Sequence, residues 1–262
     1  MIGITSINGL SLSMDQRFSK IKDAGFESIL LWWGNDEEDS RTKRVTLACK
    51  YGLHIENAHA TTDNLNALWT DTSEGDCVLS EFKQEVVECS EFGIKALVIH
   101  LTNGNTPPPI SSIGICRIEQ LIKLAEHLKI QLAFENVRKS EHVRYVLDSF
   151  LSPCVGLCYD SGHEHIWSPD IDWLNEYGTR VFAIHLHDNN GDRDSHLVPF
   201  DGTIDWIRKS KQIAKSSYTG TITIESEMHA SQLYEKDGFE SFLSYAYEKG
   251  KKLAEAIYQH NQ

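Results

Sequence analysis

Short apolar runs alternate with amphipathic stretches along the whole chain. The runs have the length of strands, and helical spacing of apolar residues fills the segments between them, as at Leu121, Leu124 and Leu128. Strands that alternate with helices predict a parallel sheet. Eight such units favour closure of that sheet into an α/β fold of the (β/α)8 TIM barrel class. The predicted strands are residues 2–6, 28–33, 53–59, 96–101, 131–136, 155–160, 180–187 and 220–225.

The main alternative is a doubly wound open sheet. A dinucleotide-binding version needs a G-x-G-x-x-G turn after the first strand, and the string GITSINGL does not supply it. Two smaller domains are a second alternative, but no Gly/Ser or Pro linker divides the 262 residues, and Pro107 to Pro109 are predicted to form a loop. Since one barrel commonly takes about 250 residues, we predict a single domain over residues 1–262.

Composition narrows the range of partners. Apolar residues make up 40% of the chain, which suits one large core, and the net charge of −13 opposes binding to phosphate backbones. No apolar stretch is long enough to span a membrane, and six scattered cysteines suit a reducing cytoplasm. Nucleic acid and membranes are therefore not expected as partners, whereas a homo-oligomer is possible. The acidic run 36–39 is predicted to be a solvated helix start.

Metal-binding side chains occur just beyond the ends of six of the predicted strands. Strand side chains alternate between faces, so His185 and His187 share one face with Ala183. A carboxylate on the inward face of an apolar strand is costly to bury unless it is paired or metal-bound. A barrel gathers the carboxyl ends of its strands on one face, so the sequence predicts a metal site there. The nine candidate ligands are His59, His100, Glu135, Asp160, His163, His185, Asp194, His196 and Glu225.

The mixture of imidazoles and carboxylates predicts a transition metal rather than magnesium or calcium. Ligation by His59 and His100 favours zinc. A site made only of Glu135, Asp160, His185 and Glu225 favours manganese or a related ion. Asp160 and His163 are three residues apart, and Asp194 and His196 are two apart, so each pair can reach one ion. We expect a divalent cofactor, zinc or manganese, with one to three ions.

Several strings near these strand ends resemble the xylose-isomerase-like TIM barrels, a superfamily that holds sugar isomerases, ketose 3-epimerases, inosose-processing enzymes and endonuclease IV. The strings are FENV, CYDSGHEH, IHLHDNNGDRDSH followed by FDGTIDW, and TITIE. The resemblance to single-metal isomerases implies that Glu135, Asp160, His185 and Glu225 ligate the metal and that His163 touches substrate. The resemblance to endonuclease IV implies that all nine residues hold a trinuclear zinc cluster. Glu227 is the substitute candidate for Glu225, and His187 for His185.

Two enzymatic functions follow from this resemblance. The first is a metal-dependent isomerase or epimerase of a sugar or sugar phosphate, in which Glu135 and Glu225 move a proton through an enediolate. The second is an endonuclease IV-like zinc phosphodiesterase, although the string HATTDNLN carries small polar residues where that enzyme has bulky ones. A binding module with a structural ion is a third, non-catalytic possibility. The candidate substrate-binding residues are His163, Trp33, His187 and Arg193.

Overall fold

The computed structural model describes residues 1–9, 11–34, 39–230 and 232–260, without the side chains of 232, 233 and 235. The predicted helix start in the acidic run 36–39 therefore lies largely outside the described residues. The next helix, Arg41–Lys50, begins after the N-cap Ser40.

Eight parallel strands form one sheet whose order follows the chain from β1 to β7, with β8 beside β1. The prediction of a (β/α)8 barrel is confirmed, and every predicted strand end lies within two residues of the observed one. The strands are β1 (Ile2–Thr5), β2 (Ser28–Trp32), β3 (His54–His59), β4 (Ala96–Ile99), β5 (Gln131–Glu135), β6 (Val155–Asp160), β7 (Val181–His185) and β8 (Ile222–Ile224).

Closure of the barrel depends on a few hydrogen bonds just beyond the end of β7. The Leu186 amide donates to the Thr223 carbonyl at 2.9 Å, and the Glu225 amide donates to the Leu186 carbonyl at 3.0 Å. These bonds bring the ends of β7 and β8 together at the carboxyl side of a nearly closed barrel.

Helices cover the outside of the sheet and begin at polar caps. Ser13 forms a capping box with Gln16, and the Asp205 carboxylate accepts the Arg208 amide at 3.0 Å. Asp205 is thus the N-cap of the helix Trp206–Lys215. The α-helices are α1 (Met14–Asp23), α2 (Arg41–Lys50), α3 (Ser73–Phe92), α4 (Ser112–Leu128), α5 (Ser140–Ser149), α6 (Ser161–Trp167), α7 (Trp173–Tyr177), α8 (Trp206–Lys215), α9 (Gln232–Asp237) and α10 (Phe239–Gln259).

The barrel interior is a small apolar cluster separate from the larger core under the helices. It contains Val98, Ala133, Cys158 and Ala183, all fully buried. Because side chains alternate along a strand, the residues two positions further along point the same way, into the carboxyl mouth. Those residues are His100, Glu135, Asp160 and His185.

Within the described residues, no helix is both long enough and apolar enough to cross a membrane. All six cysteines are present as free thiols.

Candidate metal centre

Glu135, at the end of β5, is the centre of the cluster at the barrel mouth. Its side chain is 1% exposed. One carboxylate oxygen, Oε2, lies 3.4 Å from His59 Nε2, 3.2 Å from His100 Nε2 and 3.4 Å from His185 Nδ1. The other oxygen, Oε1, lies 3.1 Å from His163 Nδ1. Four imidazoles, each from the end of a different strand or from the segment after it, therefore meet at one carboxylate.

The remaining candidate ligands extend the cluster in two directions. His185 Nδ1 also lies 3.3 Å from Glu225 Oε2. His163 Nε2 lies 3.3 Å from Asp194 Oδ2, and His196 Nε2 lies 3.5 Å from Asp194 Oδ1. The structure thus brings all nine sequence-predicted ligands together, although they are spread over 167 positions of the chain from His59 to Glu225.

The donor atoms form compact groups. The proximal cluster consists of Glu135, Asp160, His185 and Glu225, and the distal cluster consists of His163, His187, Asp194 and His196. A further group joins His59 to Glu135 and His185. Within each group the possible ligand atoms lie within 4.8 Å of one another.

Distances within these clusters fit metal coordination better than direct hydrogen bonding. Two ligand atoms about 2.0–2.1 Å from a tetrahedral ion are about 3.3–3.4 Å apart, which matches the contacts around Glu135 and Asp194. Buried polar atoms without a hydrogen bond are rare in proteins, yet they are concentrated here. They are His100 Nε2, Glu135 Oε2, Asp160 Oδ2, His163 Nδ1, both ring nitrogens of His185, His187 Nε2, Asp194 Oδ1 and Glu225 Oε2.

Outer hydrogen bonds orient several of the candidate ligands. His59 Nδ1 donates to the Ala60 carbonyl at 2.9 Å, and His196 Nδ1 donates to the Glu225 carbonyl at 2.7 Å. In each ring the Nε2 atom then keeps its lone pair for an ion, as is usual for metal-bound imidazoles. The Asp160 carboxylate is fixed by the His163 amide, which donates to Oδ1 at 2.7 Å.

The cluster shifts the acidity of its members. Burial alone raises the pKa of Glu135, but the His100 and His185 imidazoles outweigh it and hold that pKa well below its usual range. Burial alone lowers the pKa of His196, but the Asp194 and Glu225 carboxylates raise it to about 10. Metal binding must displace protons from such imidazoles, since only the neutral ring is a ligand.

The structure places the predicted substrate-binding residue Trp33 in the outer core. Trp33 is fully buried there, its Nε1 donates to Glu88 at 2.9 Å, and its contact with substrate stays a prediction. The adjacent Trp32 faces the mouth instead, with its ring centroid 5.2 Å from that of His59. Arg193 is exposed in the loop that carries Asp194.

A planar wall that the sequence did not reveal extends outward from His163. The Trp167 ring stacks on His163 with centroids 4.6 Å apart, and the Arg138 guanidinium lies 4.6 Å above the Trp167 ring. Arg138 also donates to Asn105 Oδ1 at 3.2 Å. Aromatic and planar cationic groups at the rim offer a face on which a polar ligand can lie.

Asp188 is a second residue whose role was missed. Its carboxylate accepts hydrogen bonds from the backbone amides of Asn189, Phe200 and Ile204, and from Trp206 Nε1 at 2.7 Å. These bonds fold residues 186–205, the loop with Asp194 and His196, onto the mouth. The sequence shows only an aspartate after the string HLH. Its hydrogen-bond donors lie up to 18 positions further along the chain, so no local pattern predicts these bonds.

The fold and the mouth define a class of protein, a TIM barrel with a candidate divalent-metal centre at the carboxyl ends of its strands. A family model described as a xylose isomerase-like TIM barrel matches residues 18–245. The chain therefore belongs to the xylose isomerase-like TIM barrel family.

Curated relatives of the chain have more than one activity in their names. A probable AP endonuclease of African swine fever virus (strain Badajoz 1971 Vero-adapted) is 26% identical over 208 residues, 70% of this chain and 67% of the relative. An inosose dehydratase of Bacillus velezensis is 29% identical over 133 residues, 42% of this chain and 45% of the relative. Protein y4fM of Sinorhizobium fredii is 35% identical over 118 residues, 42% of this chain and 38% of its own length. The match therefore spans less than half of the last two relatives.

Solved structures with the same fold cover nearly the whole chain. A D-tagatose 3-epimerase-like protein superposes with a TM-score of 0.78 at 18% identity and covers 98% of both chains. An IOLI protein with a bound zinc atom superposes with a TM-score of 0.74 at 17% identity and covers 99% of both chains. At such low identity these likenesses establish the fold alone.

Proposed function

We propose that this protein is a metal-dependent isomerase or epimerase that acts on a sugar or sugar phosphate. The observation that carries the proposal is the proximal cluster, in which Glu135 Oε2 and Glu225 Oε2 lie 3.4 and 3.3 Å from the same nitrogen, His185 Nδ1, and Asp160 belongs to the same group. Three carboxylates and one imidazole suit a divalent transition metal such as manganese. The epimerase names among structural neighbours and the inosose dehydratase among relatives support the same choice.

The two glutamates supply the proton transfer. Their pKa values are lowered by the neighbouring imidazoles, with His185 prominent for both, so each is an ionised carboxylate that can accept a proton. A divalent ion in the cluster would act as a Lewis acid that makes the C–H bond next to a carbonyl more acidic. Glu135 then removes that proton to give an enediolate of the sugar. The face or carbon to which the proton returns decides between epimerisation and isomerisation.

The mouth also limits the kind of substrate. Trp32 borders His59, so the mouth has an aromatic edge. An aromatic face suits the apolar side of a sugar. The high negative charge of the chain disfavours a long polyanion.

A zinc phosphodiesterase is the second candidate function. It is favoured by the three neighbouring donor groups, because several ions held close together can clamp a phosphate. The AP endonuclease relatives support it as well. The net charge of −13 and the small residues after β3 oppose a nucleic-acid substrate.

The substitution Glu135→Gln tests the first function directly. With a panel of ketoses and ketose phosphates in deuterated water and saturating Mn²⁺, the wild-type protein is expected to exchange deuterium into its substrate. The variant should lose exchange by about 10²–10⁴-fold, because the proton acceptor is gone. Glu141→Gln, an exposed change on α5, is the matched control and should keep full activity.

Two outcomes would contradict this assignment. Full exchange activity in the Glu135→Gln variant, with its metal content unchanged, removes the assigned base. Cleavage of a duplex with an abasic site, without exchange on any ketose, supports the phosphodiesterase instead.

A further inference from the structure

His187 is a buried imidazole that the proposed proton transfer does not use. It follows β7 on the inward face, is 0% exposed, and stacks on His196 with ring centroids 4.0 Å apart and an interplanar angle of 9°. The start of α6 is shaped around this ring. A Cβ atom added at Gly162 would lie 1.9 Å from His187 Cε1, so only glycine fits there.

The His187 Nε2 atom points between two carboxylates without a hydrogen bond to either. It lies 3.2 Å from Asp160 Oδ1 and 3.6 Å from Asp194 Oδ1, and it has no hydrogen-bond partner among the described residues. An unpaired buried nitrogen costs free energy. A cation shared with the neighbouring carboxylates would satisfy this nitrogen.

The distal cluster supplies three further donors around the same point. His163 Nε2 and His196 Nε2 lie 3.3 Å and 3.5 Å from the two Asp194 oxygens. These separations are close to the edge of a tetrahedron around zinc, which is about 3.3–3.4 Å. Three imidazoles and one carboxylate are a donor set that suits zinc better than manganese.

We infer that His187 is the fourth protein ligand of a zinc ion that is also held by His163, Asp194 and His196. Four protein ligands close a zinc site, and closed sites are structural. Three of these ligands belong to the loop of residues 186–205 and the fourth to α6, so the ion ties the loop to the mouth. Catalysis is left to the proximal cluster.

This assignment deepens the proposed function and rests on it for the separate catalytic ion. A multinuclear phosphodiesterase needs open coordination positions for phosphate oxygens. A distal ion closed by protein ligands offers none. The distal site is therefore the feature that separates proton transfer at one ion from phosphate cleavage at several.

Metal content tests the inference without any activity assay. The wild-type chain, stripped by a chelator and reloaded with Zn²⁺, should bind at least two ions by elemental analysis. The His187→Ala variant should lose one of them, or bind it more than about tenfold more weakly. Reloading with Co²⁺ should give the wild type the intense visible absorption of a four-coordinate ion, and the variant should lose that absorption as water replaces the imidazole.

A matched control and a second readout protect the test from misfolding. His165→Ala changes an imidazole on α6 that contacts Thr203 Oγ1, and it should keep wild-type stoichiometry. Trypsin reports on the loop, because Arg193 is exposed beside Asp194. In wild-type protein Zn²⁺ should slow cleavage after Arg193, and in a His187→Asn variant with a native circular dichroism spectrum it should not.

Several results would overturn the inference. They are a wild-type protein that binds one ion only, or a His187→Ala variant with unchanged stoichiometry and Co²⁺ spectrum. Failure of the proposed function gives a different result. In that case the wild-type protein binds two ions but exchanges no deuterium into any ketose.

Discussion

Three glutamates of α3 share the guanidinium of Arg41. Glu81, Glu85 and Glu88 lie 2.8, 3.1 and 2.7 Å from its nitrogens. One positive charge cannot offset three carboxylates, and Glu85 is the most buried of them. Burial raises the pKa of Glu85 to about 8, although the Thr61 amide and Arg41 oppose the shift. Near neutral pH this side chain therefore holds a proton in the folded state.

Glu85→Gln is expected to remove a pH dependence of stability. A carboxyl group with a raised pKa in the folded state binds more protons there than in the unfolded chain. The contribution of Glu85 to the free energy of unfolding is complete below the unfolded pKa of 4.5 and is lost as pH rises through about 8. The difference across this window is on the order of a few kcal/mol. Gln is neutral at every pH, so the variant does not lose stability in this way. In urea unfolding with EDTA, the midpoint of the variant should therefore exceed that of the wild type by an amount that grows towards pH 8.5.

Glu88→Gln is the control for this measurement. Hydrogen bonds from Gln84, Arg41 and Trp33 outweigh burial and lower the pKa of Glu88. The contribution of Glu88 to the free energy of unfolding is therefore present above the unfolded pKa and lost as pH falls. The Glu88→Gln variant lacks this contribution and should be less stable than the wild type near neutral pH. A Glu85→Gln variant whose midpoint tracks the wild type at every pH would show that Glu85 is ionised in the folded protein.

The loop of residues 186–205 is the element that completes the mouth, and Asp188 holds it. Two oxygens of one carboxylate accept four hydrogen bonds. An amide in the same place has one oxygen and one NH₂ group, and the NH₂ group cannot accept. Each oxygen of Asp188 accepts two hydrogen bonds. Substitution by asparagine replaces one oxygen by an NH₂ group, so two buried donors lose their acceptor.

Asp188→Asn is therefore expected to destabilise the protein by about 2 kcal/mol or more, since each unsatisfied buried donor costs about 1–3 kcal/mol. Urea unfolding in EDTA measures this without any contribution from metal binding. Asp205→Asn is the same chemical change at the N-cap of α8, where asparagine caps as well as aspartate, and it should stay within about 0.5 kcal/mol of wild type. Equal midpoints for the two variants would mean that Asp188 does not fasten the loop.

The sequence predicted the strands well because their apolar alternation is local. The ends of β4 and β7 were placed two residues too far, at 101 and 187, because alternation continues past the last ladder hydrogen bond. Trp32 and Trp33 were harder to separate. Both faces of β2 are apolar, so parity alone could not show which tryptophan points inward. The hydrogen bonds of Asp188 depend on how the loop returns, which no local pattern encodes.

Charge over the whole molecule explains why a cation should stabilise it. The chain has a net charge of −13, and the mouth brings together the carboxylates of Glu135, Asp160 and Glu225 in the proximal cluster and of Asp194 in the distal cluster. In the ion-free protein, protons on imidazoles offset part of this negative charge, since Asp160, Asp194 and Glu135 outweigh burial and raise the pKa of His163. Because the donors converge only in the folded barrel, an ion binds the native state and not the unfolded chain.

Removal of metal should therefore lower the melting temperature. A ligand at 1,000 times its dissociation constant stabilises the native state by about 4 kcal/mol. For a chain of this size each kcal/mol corresponds to about 2–4 °C, so chelation should lower the melting temperature by about 8–16 °C. Calorimetry of stripped protein should show recovery with Zn²⁺ or Mn²⁺ and little with Mg²⁺, which prefers oxygen ligands and retains its water. Identical melting curves for stripped and reloaded protein would contradict a resident ion. They would mean that the folded protein gains no stability when an ion binds to the clustered ligands.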